Sequence, residues 1–319
     1  MTARPPIHPP LPDDPLLAEV LAGLGASPPR LPVALFYDAT GSRLFDRITE
    51  LREYYLTRCE RAIFRVHGRA IAAEATRGAR AVVVVEPGCG SGEKAAGFLA
   101  AIDAPEVAWV PIEVSAAALE AAVRLVRARV PRVRTWPVLG DFRRPLPALP
   151  HGQRVLFFPG STIGNLDPDD AVRFLARLAA ALGPGARFVV GVDLAKDPRL
   201  LRAAYDDAAG VTAAFNRNAL AHLNRRFGGD FVPSRFAHEA RVDTGLGRVE
   251  MHLVATRDER VRVAGRAFAF PRGASIHTES AYKYTLDGFR GLGERAGLRP
   301  VKAWTDARGW FSVHVLEAA

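Results

Sequence analysis

The apolar run VVVV (82–85) leads straight into EPGCGSGEK (86–94), a glycine-rich turn of the kind that lets backbone amides approach a ligand closely. A dinucleotide fingerprint, G-x-G-x-x-G, begun at Gly88 would need glycine where Glu93 stands, so the loop fits a dinucleotide poorly. Glu86 closes the apolar run, and two more acids close the next ones. Glu113, in PIEVS, follows the loop by about twenty residues, where an acid in such folds commonly receives ribose hydroxyls. Asp141, in GDF, can accept an exocyclic amino group while the ring of Phe142 covers a base. Three acids at the carboxyl ends of three successive strands define one nucleoside-binding edge.

The elements that must hold this edge alternate. Strands are predicted at 81–85, 107–112, 133–138, 154–158 and 187–192, with helices at 93–102, 116–129 and 168–182 between them, which is the pattern of a parallel doubly wound sheet with ligands at the strands' carboxyl ends. At Asp197 the alternation stops. Residues 199–226 read as almost continuous helix and 235–272 as antiparallel strands, an inserted lobe; a helix at 284–296 and two strands at 301–304 and 310–316 then close the sheet. Before the sheet lie a proline-rich tail (1–15) and helices at 15–24, 41–55 and 57–75. The 319 residues, 49% hydrophobic, suffice for one large domain or two smaller ones. The predicted division is a flexible tail (1–15), a substrate-binding lobe (16–60 with 197–283) and a cofactor domain (61–196 with 284–319).

Composition narrows the class of partner. The net charge of +9 comes from arginines scattered along the chain rather than clustered, which argues against a nucleic-acid surface. The longest apolar runs are too short to span a bilayer, no signal-peptide apolar region is present, and the two cysteines, Cys59 and Cys89, form neither a disulfide framework nor a metal knuckle. A cytoplasmic monomer without membrane or metal partners is expected, with Cys89 as a packing residue in the loop.

After a buried strand, E-x-G-x-G-x-G resembles the first motif of class I S-adenosylmethionine (SAM) methyltransferases. The resemblance implies an α/β, Rossmann-like doubly wound fold with a second α+β lobe, in which Gly88 and Gly90 let the backbone close on the cofactor and Glu86 takes its ammonium, directly or through water. The Asn/Asp-Pro-Pro-aromatic box used on planar amino groups of bases and amides is absent from FFPGSTIGNL (157–166).

Longer blocks are more specific. FYDATGSRLFDRITELREYY (36–55), TRCERAI (57–63), GSTIGNL (160–166), AYDDAAGVTAAFNRNAL (204–220), RVEMHL (248–253), HTESAYKY (277–284) and WTDARGWF (304–311) resemble the SAM-dependent L-histidine Nα-methyltransferases of ergothioneine biosynthesis, over nearly the whole chain. That family trimethylates histidine to hercynine. Its cofactor contacts carry over to Tyr54, Gly88, Lys94, Glu113, Asp141 and Phe142, and its histidine contacts to Tyr37, Asn165, Tyr205, Met251, Glu279 and the position of Ala281. The residue chemistry agrees: Asn165 offers an amide to a carboxylate, the hydroxyls of Tyr37 and Tyr205 can orient an amine, and Glu279 can accept an imidazole N–H. By alternation alone Met251 is a core residue, and Glu279 has Lys283 at i+4 as a competing partner.

Two positions depart from the family. Glu113 replaces an aspartate, which keeps the charge and lengthens the reach. Ala281 stands where relatives often carry serine, which leaves Glu279 as the principal polar reader of the ring; Ser280 should point to the other face if the segment is a strand. A relative acting on another small amino acid or a histidine derivative fits the same pattern.

Overall fold

The computed structural model describes residues 14–142 and 144–319; of the predicted tail, residues 1–13 lie outside the described residues. The chain forms two compact units, one taking residues up to Tyr54 together with Asp197–Ser280, the other Tyr55–Lys196 with Ala281–Ala319. The cuts differ from those predicted at 60 and 283. A cut at 60 would sever a single helix whose first residue, Tyr55, donates a hydroxyl hydrogen bond to the buried carboxylate of Asp193 (2.9 Å to Oδ2).

In the first unit, α1 (Pro15–Leu24) is capped by Asp14, which accepts from the amide of Leu16, and α2 (Ala39–Glu50) by Asp38, which accepts from Gly41 (2.7 Å). Asp38 also takes Nδ2 of Asn218 (2.8 Å) and pairs with Arg225, so the start of α2 is tied to a distant stretch of sequence.

The second unit opens with α3 (Tyr55–Thr76). The sheet then builds as β1 (Ala81–Pro87), α4 (Glu93–Ala101), β2 (Glu106–Glu113), α5 (Ala116–Arg129), β3 (Arg134–Thr135), β4 (Val138–Leu139), β5 (Gln153–Phe158), α6 (Pro168–Leu182) and β6 (Arg187–Asp193). The strands of this stretch pair in parallel: β1 lies between β2 and β5, and β5 against β6. The central runs of β1, β2, β5 and β6 are buried and mainly apolar, as parallel strands covered on both faces must be. On β5, Phe157 stacks on Phe98 of α4 (ring centroids 4.6 Å), while its neighbour Phe158 turns to the other face and meets Phe174 of α6. The predicted third strand, 133–138, is instead two short pairings, β3 and β4, separated by Trp136-Pro137. A proline has no N–H for the ladder, so the pairing to β2 lapses there.

The insertion belongs to the first unit. Residues 199–226 form two helices rather than one, α7 (Pro198–Tyr205) and α8 (Val211–Phe227). The break is built by Asp207, whose carboxylate accepts the amides of Val211 (2.9 Å) and Thr212 (2.7 Å) at the first turn of α8. Strands β7 (Phe236–Asp243) and β8 (Arg248–Ala255) pair antiparallel, β9 (Glu259–Val263) and β10 (Arg266–Phe270) form a separate hairpin, and β11 (Ser275–Tyr282) completes a three-stranded sheet of order β11-β8-β7. The chain then returns to the second unit through α9 (Leu286–Arg295), β12 (Leu298–Thr305) and β13 (Phe311–Ala318), giving an eight-stranded sheet of order β12-β13-β6-β5-β1-β2-β3 with β4 on β2. β13 runs antiparallel to β6. No described helix is long and apolar enough to cross a membrane.

Burial works against the charge of Asp207, but the amides of Thr212 and Val211 outweigh it and hold its carboxyl below the ordinary 3.8. The group therefore adds stability above pH 3.8 that is lost as the pH falls through the lowered native value. Replacing Asp207 with alanine is expected to cost about 1–2 kcal/mol of stability at neutral pH, read from urea unfolding, with the difference from the parent shrinking towards acid.

Candidate active site

The cofactor-side candidates lie in the second unit, where β1 gives way to α4. Gly88 (φ 68°) and Gly90 (φ 51°) take left-handed conformations that other residues rarely adopt. A Cβ on Gly88 would stand 3.7 Å from the ring of Phe142, an ordinary contact distance, so the loop backbone and this ring are near neighbours. Glu113, ending β2, reaches back across this loop. Its Oε2 accepts from the amide of Gly90 (3.3 Å), and its Oε1 from Val114 (2.8 Å) and Ser115 (3.2 Å). The backbone carbonyl of Glu113 accepts from Gly140, which sets the GDF turn beside it. Phe142 is held edge-on by Phe158 and Phe174, and its carbonyl by Arg177 (2.9 Å). The structure thus brings Gly88, Gly90, Glu113 and Phe142 together, with Asp141 in the same turn.

Glu86 does not reach the loop surface. It is 1% exposed, and Nε1 of the fully buried Trp109 donates to its Oε2 (2.9 Å). Burial pushes the carboxyl up to about 8, against the pull of the Trp109 hydrogen bond and the Lys94 charge, so at neutral pH it carries a proton. This side chain is a hydrogen-bonded floor under the loop rather than an exposed counter-ion for an ammonium. Lys94, in the first turn of α4, makes an ion pair with Glu60 of α3 (2.6 Å). Glu60 is 1% exposed, and its other oxygen accepts the amide of Gly160 (2.7 Å). One buried carboxylate therefore fixes both the helix after the cofactor loop and the start of GSTIGNL.

Asn165 ends a short 3-10 turn, Thr162–Asn165. Two contacts place it. Oγ of Ser161 accepts from the amide of Asp193 (2.9 Å), and Gly164 lies so close to the carbonyl of Tyr282 that a Cβ would stand 2.8 Å from it. The turn of Asn165 is thereby pressed against the strand end that carries Ala281. Asp193 is fully buried and takes Lys196 (2.6 Å), Lys283 (2.9 Å) and the Tyr55 hydroxyl. Lys283, the competing partner for Glu279 in the sequence reading, gives its charge to Asp193.

The first unit gathers the tyrosines. Tyr37 meets Phe45 edge-on (6.2 Å), Phe45 meets Tyr54 (6.4 Å) and Tyr54 meets Tyr205 (6.3 Å), a chain of T-shaped contacts. Met251 lies on β8, 3% exposed between buried Val249 and Leu253, as its alternation required. Thr278 of β11 donates its hydroxyl to the carbonyl of Met251 (2.9 Å), which puts Glu279 on the strand beside it. Ser280 is taken up by His277 (2.9 Å). Among the described residues no cluster of three or more His, Cys, Asp or Glu is arranged to hold a metal.

Sequence reading missed Glu60, Trp109, Asp193 and Lys196. Each is a polar or amphipathic residue whose partner lies far along the chain or behind a backbone turn, and none carries a spacing signal. Because Glu60→Gln keeps an acceptor for Gly160 but removes the charge facing Lys94, and Glu60→Leu removes both, cofactor affinity should fall in the order parent, Gln, Leu. Calorimetric titration with S-adenosylhomocysteine should show a loss of about tenfold or more for Leu, the equivalent of roughly 1.4 kcal/mol.

The sequence pattern of the family described as "Histidine-specific methyltransferase, SAM-dependent" matches residues 16–318. A histidine N-alpha-methyltransferase of Mycolicibacterium smegmatis is 42% identical over 303 residues, covering 93% of each chain, and one of Mycobacterium tuberculosis 40% identical over the same length and coverage. "Ergothioneine biosynthesis protein 1" of Neurospora crassa is 31% identical over 310 residues, which cover 91% of this chain and 33% of that longer protein. With its parallel sheet, glycine loop and strand-end acids in place, this chain is a class I methyltransferase and belongs to the histidine-specific, SAM-dependent methyltransferase family.

Proposed function

We propose that the protein methylates the α-amino nitrogen of L-histidine three times, giving Nα,Nα,Nα-trimethylhistidine (hercynine), the first step towards ergothioneine. The observation that carries this reading is the retention of Glu279, buried on β11 beside the strand of Met251, in a chain whose residues 16–318 match a histidine-specific family. The names of its relatives point the same way. The scattered arginines support a free amino acid rather than a nucleic acid as substrate, and we take the enzyme to be a cytoplasmic monomer.

The residues fit SAM. The ring of Phe142, beside the loop of Gly88, offers a face to a flat base, Glu113 presents a carboxylate to ribose hydroxyls, Asp141 an acceptor to an amino group, and Gly90, Lys94 and Tyr54 complete the candidate contacts. When bound, SAM supplies a methyl group on an electrophilic sulfonium. The remaining work falls to side chains. Asn165 receives the substrate carboxylate through its amide, Glu279 accepts the imidazole N–H, and the hydroxyls of Tyr37 and Tyr205 aim the amine lone pair. A free α-amine is largely protonated at neutral pH and an ammonium is no nucleophile, so the site must favour the neutral form; desolvation and a nearby positive charge both do so. No dedicated base is required.

Ala281 favours a second reading within the same chemistry. With a buried methyl group where a hydroxyl could contact the ring, another small amino acid or a histidine derivative could be preferred. Incubation with SAM and each amino acid in turn, followed by mass spectrometry, should show a three-methyl gain on histidine above all others; no gain on histidine refutes the proposal. Glu279→Ala should lower kcat/KM for histidine by about ten- to a hundredfold, whereas Ala281→Ser should raise it by up to about tenfold.

A further inference from the structure

Tyr205 is the last residue of α7, and its carbonyl is one of those a helix end leaves without an intrahelical partner. The carbonyl is met at 2.8 Å by Nε2 of His238, whose side chain is 1% exposed on β7. The other ring nitrogen, Nδ1, lies 2.9 Å from Nδ2 of Asn216, a fully buried residue of α8, and the same Nδ2 lies 3.1 Å from the carbonyl of His252 on β8.

The two ends of this chain settle every proton in it. A backbone carbonyl only accepts, so the group facing that of His252 must be the amide nitrogen of Asn216, which fixes the orientation of that side chain. Its second N–H then points at Nδ1 of His238, which must accept. At the far end the carbonyl of Tyr205 needs a donor, so Nε2 carries the hydrogen. Only the neutral Nε2–H tautomer satisfies both neighbours. An imidazolium would set an Nδ1–H against the N–H of Asn216.

We propose that His238, held as the neutral Nε2–H tautomer by Asn216, is a positioning residue that fixes the end of α7 and so aims Tyr205 at the amino-acid substrate. The inference rests on the role given to Tyr205 above. The charged groups facing His238 are Asp206, with Oδ1 3.8 Å from Nε2, and, farther off, Asp207 and Arg217. Burial is the largest influence and, with Arg217, disfavours the charged ring; the Tyr205 carbonyl and the two aspartates pull the other way, and the balance holds His238 below its ordinary 6.5. A lowered histidine keeps the neutral arrangement on the acid side of 6.5, while the unfolded chain takes up its proton first, so this site loses stability as the pH drops below that value.

Nitrogen-15 imidazole spectra of the full-length protein, with His238 assigned by its absence from His238→Gln, should show the Nε2–H tautomer at neutral pH persisting below pH 6.5. An Nδ1–H tautomer or an imidazolium at neutral pH overturns the proposal. In kinetics, His238→Ala should lower kcat/KM for the amino acid about tenfold with the Kd of S-adenosylhomocysteine unchanged, and His238→Gln, whose amide can donate in place of Nε2, should recover most of it. Equal losses for cofactor and amino acid, or a glutamine variant no better than alanine, would show that His238 only supports the fold. Should the parent enzyme prefer an amine other than histidine, the same comparison with that amine tests His238 independently of the substrate assignment.

Discussion

A carboxylate taken out of water must be paired or protonated, and the chemistry-bearing loops of the second unit are organised by three that are. Glu86 at the end of β1 meets the indole of Trp109 and keeps its proton. Asp193 at the end of β6 stays paired to two lysines and a tyrosine hydroxyl. Glu60, from α3, holds Lys94 with one oxygen and the Gly160 amide with the other. All three sit where a sheet covered on both faces leaves only its strand ends for polar work. The helix after the glycine loop and the start of the GSTIGNL turn are both tied to Glu60, through Lys94 and through the Gly160 amide, so the placement of both depends on one buried carboxylate.

The first unit uses different means. Helix caps dominate: Asp14, Asp38 and Asp207 each accept amides that a helix start leaves open, and Asp38 and Asp207 join segments that composition alone would read as separate or continuous. Aromatic edges gather Tyr37, Tyr54 and Tyr205. His238 and Asn216 extend the same logic to a helix end, where an otherwise open carbonyl finds a buried imidazole. Long polar-rich blocks such as AYDDAAGVTAAFNRN are therefore dense in caps and buried amides as well as in residues suited to a substrate.

Much of the sheet was legible because parallel strands buried on both faces must be apolar throughout and must alternate with helices. The helices at Ala116–Arg129 and Pro168–Leu182 fall where periodicity put them. Failures occurred where one residue overrode a pattern. Pro137 split a strand that its neighbours favoured, and Asp207 interrupted a run with good helix composition by capping a second helix. Glu86 was misplaced for a related reason: its position at a strand end was readable, but the indole that claims it comes from the middle of β2, twenty-three residues away.

The sequence by itself determined the fold class, the cofactor loop, the strand-end acids and the family, since these reside in local spacing and in contiguous blocks. Only the tertiary structure decided what each buried polar group faces, and with it which acids stay charged, which tautomer His238 adopts and why Gly164 must be glycine. These depend on partners brought together by folding, at distances of 2.6 to 3.1 Å that no spacing along the chain encodes. A hydrogen bond is settled by its second atom, and for Glu60, Glu86 and His238 that atom lies in another element of the fold.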